Sequence, residues 1–180
     1  GEQGAGISVD ISEPGELETA ISSAGEICSD ILIETYVKGK DVRIIVINHE
    51  VVAVAVRKPP AITGTGSLTI RELIKKHNRR RMAATGGESF IPDDAETLRC
   101  LNKEGLDYES VLEKGRTVVV RKTANLHTGG TIHDVTDEIS PVLKQAAVNV
   151  SQTLDIPVTG LDFMVPDISG DDYAFIEANE

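Results

Sequence analysis

Two runs dense in valine and isoleucine, 42–48 and 51–57, flank Asn48-His49 and restrict the fold more than any other feature of the chain. β-Branched side chains favour extended backbone. Two such runs joined by a tight polar connection predict an antiparallel hairpin. A third apolar run, 31–37, precedes them, and the near-continuous apolar content of all three predicts strands covered on both faces. Further strands are expected at 117–122, 158–165 and 172–179. The expected class is α+β (α/β): a mostly antiparallel sheet flanked by helices 14–27 and 138–154.

Helix signals are local. Ser12 can cap a helix that has Pro14 in its first turn and Leu17, Ala20, Ile21 and Ala24 along one face. Thr69 with Glu72 makes a capping box for a short helix reaching Asn78. Residues 93–104 read as another helix, and 138–154 carries Val142, Ala146, Val150 and Leu154 on one face. Between 79 and 114 the periodicity weakens; Arg79-Arg80-Arg81 reads as a solvated turn, with contact to an anionic substrate as the alternative, and 85–89 as a polar loop.

Composition narrows the function. Of 180 residues, 40% are apolar and 26% charged, as in globular domains. A net charge of −11 argues against general nucleic-acid binding. No apolar run approaches the roughly 18 residues that cross a bilayer. Cys28 and Cys100 lack metal or redox spacing and read as reduced thiols of a cytoplasmic protein. The chain starts in the glycine-dense Gly1-Glu-Gln-Gly4-Ala-Gly6 and stops just after the last expected strand. It therefore reads as an excised piece of a longer enzyme.

Candidate chemistry gathers at two places. Glu177 and Asn179, two apart on an expected strand, project from one face. Asp162 lies in an apolar strand nearby in sequence. Two carboxylates and an amide oxygen are hard donors of the kind Mg²⁺ prefers. The alternative is a strand-end acid and two polar residues near a terminus. The second place is 121–131, where a strand delivers Arg121 and Lys122 into a loop holding Asn125, His127, Thr128, Gly129 and Gly130. Arginine, amide and backbone donors there can hold phosphate or carboxylate oxygens. The alternative is an irregular connection with a solvent-facing arginine, and His127 has no partner legible in the sequence.

In combination these motifs resemble the ATP-grasp ligases. Ile33-Glu34-Thr-Tyr36-Val37-Lys-Gly39-Lys-Asp41-Val-Arg43, followed by a hairpin ending Arg57-Lys-Pro, is similar to the hinge and nucleotide strands of that superfamily. Gly160-Leu-Asp162 and Glu177-Ala-Asn179 resemble its metal strands. The stretches 60–66, 69–74 and 123–131 resemble the branch that contains cyanophycin synthetase, the ligase half of bifunctional glutathione synthetases, and N-acetylglutaminylglutamine synthetase. The stretch 79–89 and His127 are most similar to the last of these.

The resemblance implies an ATP-dependent carboxylate–amine ligase acting through an acyl-phosphate. Its cofactors would be ATP and Mg²⁺, two ions, with Mn²⁺ admissible; its partners would be amino-acid or dipeptide substrates, and the full-length enzyme could form a homo-oligomer. Glu34, Tyr36 and Val37 would line the adenine, and Asp41 would meet the ribose. Asp162, Glu177 and Asn179 would hold the metal. Arg121 and Asn125 would face the transferring phosphoryl group, while Arg43, Arg57, His127, Thr128, Gly129 and Gly130 would contact substrate. The implied partition is 1–58 with the nucleotide hinge, 59–115 as an insertion near the active-site mouth, mobile around 79–89, and 116–180 with the substrate loop and metal strands. The phosphate-binding lysines that the superfamily places upstream of the glycine-rich loop are absent, so the chain is expected to be inactive alone. The alternatives are a catalytically incomplete ATP/Mg-binding module and a non-catalytic interaction domain.

Overall fold

The computed structural model describes residues 6–179. The glycine-dense start, apart from Gly6, and Glu180 lie outside the described residues. The chain divides into two compact units, one of 1–36 with 59–131 and one of 37–58 with 132–180.

The second unit is built on the hairpin expected from the sequence. β1 (Lys40–Ile47) pairs antiparallel with β2 (Glu50–Lys58). Asn48 and His49 both have positive φ, 51° and 62°. A two-residue turn of that hand matches the right-handed twist of the flanking strands. β6 (Val158–Val165) pairs antiparallel with β1 on its other side, and β7 (Ala174–Asn179) pairs antiparallel with β6. β5 (Thr131–Asp134), which the sequence does not announce, forms the opposite edge, giving the order β5-β2-β1-β6-β7. One face of this sheet is apolar. Val42, Ile44, Val46, Val54, Val56, Leu161, Phe163 and Val165 pack there with Leu143, Ala146 and Ala147 of α4 (Pro141–Leu154). Ser140 caps α4 by accepting from the Leu143 N–H, and Pro141 opens it.

The strands are therefore buried on one face, not both. Burial alternates along β1, and Ile47 and Val52 remain 42% and 48% exposed.

The first unit has its own core of Ile62, Ile70, Leu73, Ile74, Ile91, Leu101, Leu112, Val118 and Val120. β3 (Ala61–Thr63) and β4 (Thr117–Val119) form a separate two-stranded sheet, so the strand expected at 117–122 is not part of the main one. α2 (Ile70–Thr85) starts at the capping box of Thr69 and Glu72. It runs through the three arginines, which are not a turn: arginine is a good helix former, and the first breaker is Gly86, the left-handed cap. α3 (Ala95–Lys103) is capped by Asp94.

Two further expectations fail here. Residues 31–37 take no strand conformation, because a strand is made by its hydrogen-bonded neighbour and this run has none among the described residues. α1 (Pro14–Gly25) belongs to the first unit, not to the sheet unit, and buries no side chain. Its cap position is Glu13, not Ser12.

Candidate functional site

The second face of the five-stranded sheet carries charge. Side chains alternate along β1, so burying Val42, Ile44 and Val46 turns Asp41 and Arg43 to the other side. The register then sets Asp41 opposite Arg57, Arg43 opposite Asp162, and Asp162 opposite Glu177. A bulge between Asp162 and Phe163 changes the pairing to Phe163 with Phe175. Phe175 can thus tilt against the core ring of Phe163, centroids 5.4 Å apart, while Glu177 stays beside Asp162.

Asp162 is 5% exposed and is the centre of this face. Arg43 Nη2 donates to its Oδ2 at 3.1 Å, and Arg57 Nη2 lies 3.1 Å from the same oxygen. Arg57 is held from the other side by Asp41, whose Oδ1 accepts from Nε at 2.8 Å and lies 2.6 Å from Nη2. Arg43 Nε is 2.5 Å from Asp162 Oδ1 but out of line, so attraction acts across that contact without an aligned hydrogen bond. Asn179 donates to Glu177 Oε1 at 3.2 Å.

Electrostatics follow the geometry. Burial pushes the Asp162 carboxyl above its usual range; Arg57 and Arg43 oppose the shift and Glu177 adds to it. Burial works against the Arg57 charge, but its pairing with Asp41 and Asp162 prevails and holds the guanidinium above its ordinary value. A buried carboxylate beside a second carboxylate and an amide is a hard donor set of the kind that suits Mg²⁺. Among the described residues no three His, Cys, Asp or Glu side chains form a cluster able to hold a metal without such help.

Gly160, which the sequence reading quotes in a motif without giving it a role, belongs to this site. A Cβ there would stand 2.7 Å from Arg43 Nη1, so the glycine leaves room for the guanidinium beside Asp162. The available signal was an isolated glycine inside an apolar strand.

The residues expected around the second constellation lie in the first unit. Arg121 is 3% exposed, and its Nη1 donates to both oxygens of Asp94, at 2.7 and 2.8 Å, and to Thr97 Oγ1 at 2.9 Å. Asp94 also accepts from the Thr97 N–H and so caps α3. Burial would raise the Asp94 carboxyl, yet the Thr97 N–H and Arg121 outweigh it and hold it below its usual range. Asn125 organises a tight loop. Its side chain accepts from the His127 N–H, and its carbonyl accepts from the N–H groups of Thr128 and Gly130. His127 has a partner after all, with Nδ1 3.2 Å from the Glu88 carbonyl. Gly129 has φ +92°, and a Cβ on Gly130 would meet the Ala124 and Asn125 carbonyls at 2.7 Å.

The hinge residues are less organised. Glu34 and Tyr36 sit exposed in an irregular segment of the first unit, where partial burial and Asp10 raise the Tyr36 hydroxyl pKa. Val37 opens the second unit and is half-buried. The structure thus brings together Asp41, Arg43, Arg57, Asp162, Glu177 and Asn179 on one sheet face, and Asn125 to Gly130 in one loop.

Comparison with known proteins decides the kinship. Over 174 residues the chain is 38% identical to the cyanophycin synthetase of Geminocystis herdmanii, covering 94% of this chain. The chain is homologous to one stretch of the cyanophycin synthetases. It spans 20% of that relative's length. It is also 32% identical over 170 residues to the bifunctional glutathione biosynthesis protein of Listeria welshimeri, covering 91% of this chain and 22% of the relative. The crystal structure of a bifunctional glutathione synthetase from Pasteurella multocida matches 94% of this chain and 24% of its own, with TM-score 0.64 and 25% identity. No family model matches. The antiparallel sheet with flanking helices is that of an ATP-grasp glutathione synthetase over the matched stretch, and the resemblance to cyanophycin and bifunctional glutathione synthetases holds.

Proposed function

We propose that this chain forms part of an ATP-dependent carboxylate–amine ligase that makes an amide bond through an acyl-phosphate, with the charged sheet face around Asp162 as its metal-binding part. The observation that carries the reading is the register: Arg43, Asp162 and Glu177 stand side by side across three strands whose other face is core. Relatives named as synthetases over nearly the whole chain support it. Asp162, Glu177 and Asn179 would hold Mg²⁺, which when bound offsets the charge of the ATP phosphates.

The chain's own residues keep that face ready. Asp41 anchors Arg57, and Arg57 and Arg43 hold Asp162 in place and oppose the effect of its burial on the charge. Positioning and charge compensation are the main sources of catalysis in phosphoryl transfer, so a face without a nucleophile–base pair is sufficient. Glu34, Tyr36 and Val37 are proposed to line the adenine, with Asp41 at the ribose. The 121–130 loop is proposed to contact substrate, and 59–115 to act as an insertion near the active-site mouth.

The acceptor specificity is proposed as N-acetylglutaminylglutamine synthetase-like on the strength of 79–89 and His127. The relatives favour cyanophycin or glutathione synthetase-like substrates as the second reading. ADP release measured with each substrate pair, on the longer protein that such a stretch belongs to, distinguishes the two. Glu177→Gln in that protein should abolish ADP release with every pair while leaving thermal unfolding unchanged. Undiminished turnover would refute the site. The 180-residue chain alone should release no ADP above background.

A further inference from the structure

We propose that the cavity beside α2 and β3 in the first unit binds a small oxyanion, a carboxylate or phosphate group carried on a short apolar stem. The cavity measures about 360 Å³ and is lined by Ile62 and Leu73, by Thr63 and Thr65, and by Lys76, His77, Arg80 and Arg81, with Ala61 at its edge. Ile62 and Leu73 belong to the core of this unit and give the cavity an apolar floor. The two threonine hydroxyls can donate to an oxygen. No residue of the sheet face takes part, although Arg80 and Arg81 lie in the 79–89 stretch on which the proposed acceptor specificity rests.

The charge arrangement is what asks for an anion. In a chain of net charge −11, no carboxylate lines this cavity, while three cations from one helix do. Lys76 and Arg80, and likewise His77 and Arg81, are four apart, so they share the helix face that Leu73 starts. Stacking like charges at that spacing costs helix stability unless an opposite charge sits among them. Among the described residues nothing supplies it. Arg81 gives its Nη2 to Ser89 Oγ and the Gly130 carbonyl, but Lys76 and Arg80 form no ion pair or hydrogen bond among the described residues. His77 Nε2 is buried without a hydrogen-bond partner.

His77 is also the natural reporter. Burial, then Arg81 and Arg80, hold its imidazole below the usual pKa, so it is neutral at pH 7. The titratable groups facing it are Arg80 and Arg81, with Lys76 on the same rim; β3 contributes none. An oxyanion seated among these cations would favour the imidazolium and raise that value.

The test is an NMR titration of the 180-residue chain with inorganic phosphate, acetate and butyrate, following the ring resonances of His77 assigned from a His77→Gln spectrum. The expected result is saturable movement of His77 and an upward shift of its titration midpoint. In a Lys76→Ala/Arg80→Ala variant the affinity should fall about tenfold or more, since charge-assisted bonds are lost. Lys75 and Arg79 are exposed and lie outside the cavity, so Lys75→Ala/Arg79→Ala removes equal charge and should leave the affinity unchanged. Tighter binding of butyrate than acetate supports the apolar stem. Binding of phosphate alone supports the oxyanion pocket but overturns the stem. Equal weakening by both double variants, or an immobile His77 with every anion, overturns the proposal.

Discussion

Asp162 on the sheet face and Arg121 in the other unit are buried almost equally, 5% and 3% exposed, but their charges are settled differently. Arg121 meets one carboxylate, whose two oxygens it contacts from a single nitrogen, and that carboxylate is also the cap of a helix. The Nη1 of Arg121 is fully engaged, although its Nε is buried without a hydrogen-bond partner. Asp162 instead faces two arginines that share one of its oxygens, while the other has no aligned partner and a second carboxylate stands alongside. Arg121 is committed to the cap of a helix, whereas Asp162 stands beside a second carboxylate with nothing but arginines to offset the two.

The largest expected effect breaks the Arg121 side. Arg121→Ala leaves Asp94 and Thr97 without their buried donor and should lower unfolding free energy by about 3 kcal/mol, read from urea unfolding. Because Asp94 is partly exposed, the loss should fall at the low end for buried pairs. Stability unchanged in that variant would remove the contrast and return Arg121 to the list of free functional cations.

A smaller loss should come from the loop that follows. Gly130→Ala places a methyl against two backbone carbonyls that cannot move independently, and about 2 kcal/mol should be lost. Unaltered stability there would mean that the loop is loosely held and available to close on a ligand. On the other side of the comparison, Asp162→Asn keeps the shape and removes the charge. Stability should change by only about 1 kcal/mol, because Arg57 keeps Asp41. Mg²⁺ is expected to raise the thermal unfolding temperature of the unsubstituted chain, and that rise should vanish in this variant. Persisting Mg²⁺ stabilisation in this variant would place the metal elsewhere.

The smallest effect is a pH dependence. Asp94 has a folded pKa below its unfolded value, so its contribution is complete above about pH 4 and disappears as pH falls through the folded value. The stability difference between the parent chain and Asp94→Asn should therefore be largest near neutrality and shrink in acid. A difference that stays constant to the lowest pH at which the chain folds would show that Asp94 acts only as a cap.

The sequence by itself determined the parts governed by local rules. The Asn48-His49 hairpin, the Thr69–Glu72 capping box and the same-side placement of Glu177 and Asn179 follow from turn chemistry and side-chain alternation, which act over a few residues. Apolar periodicity likewise located β6, β7 and α4. Tertiary structure decided what depends on a distant partner. It denied residues 31–37 a strand, because among the described residues no neighbouring strand supplies hydrogen bonds, and it added β5, whose four residues carry too little pattern to announce themselves. It also assigned Arg121 to Asp94 and Arg43 to Asp162, pairs separated by 27 and 119 positions. A charge's role depends on which opposite charge the folded chain brings within bonding distance, and spacing along the sequence holds no record of that.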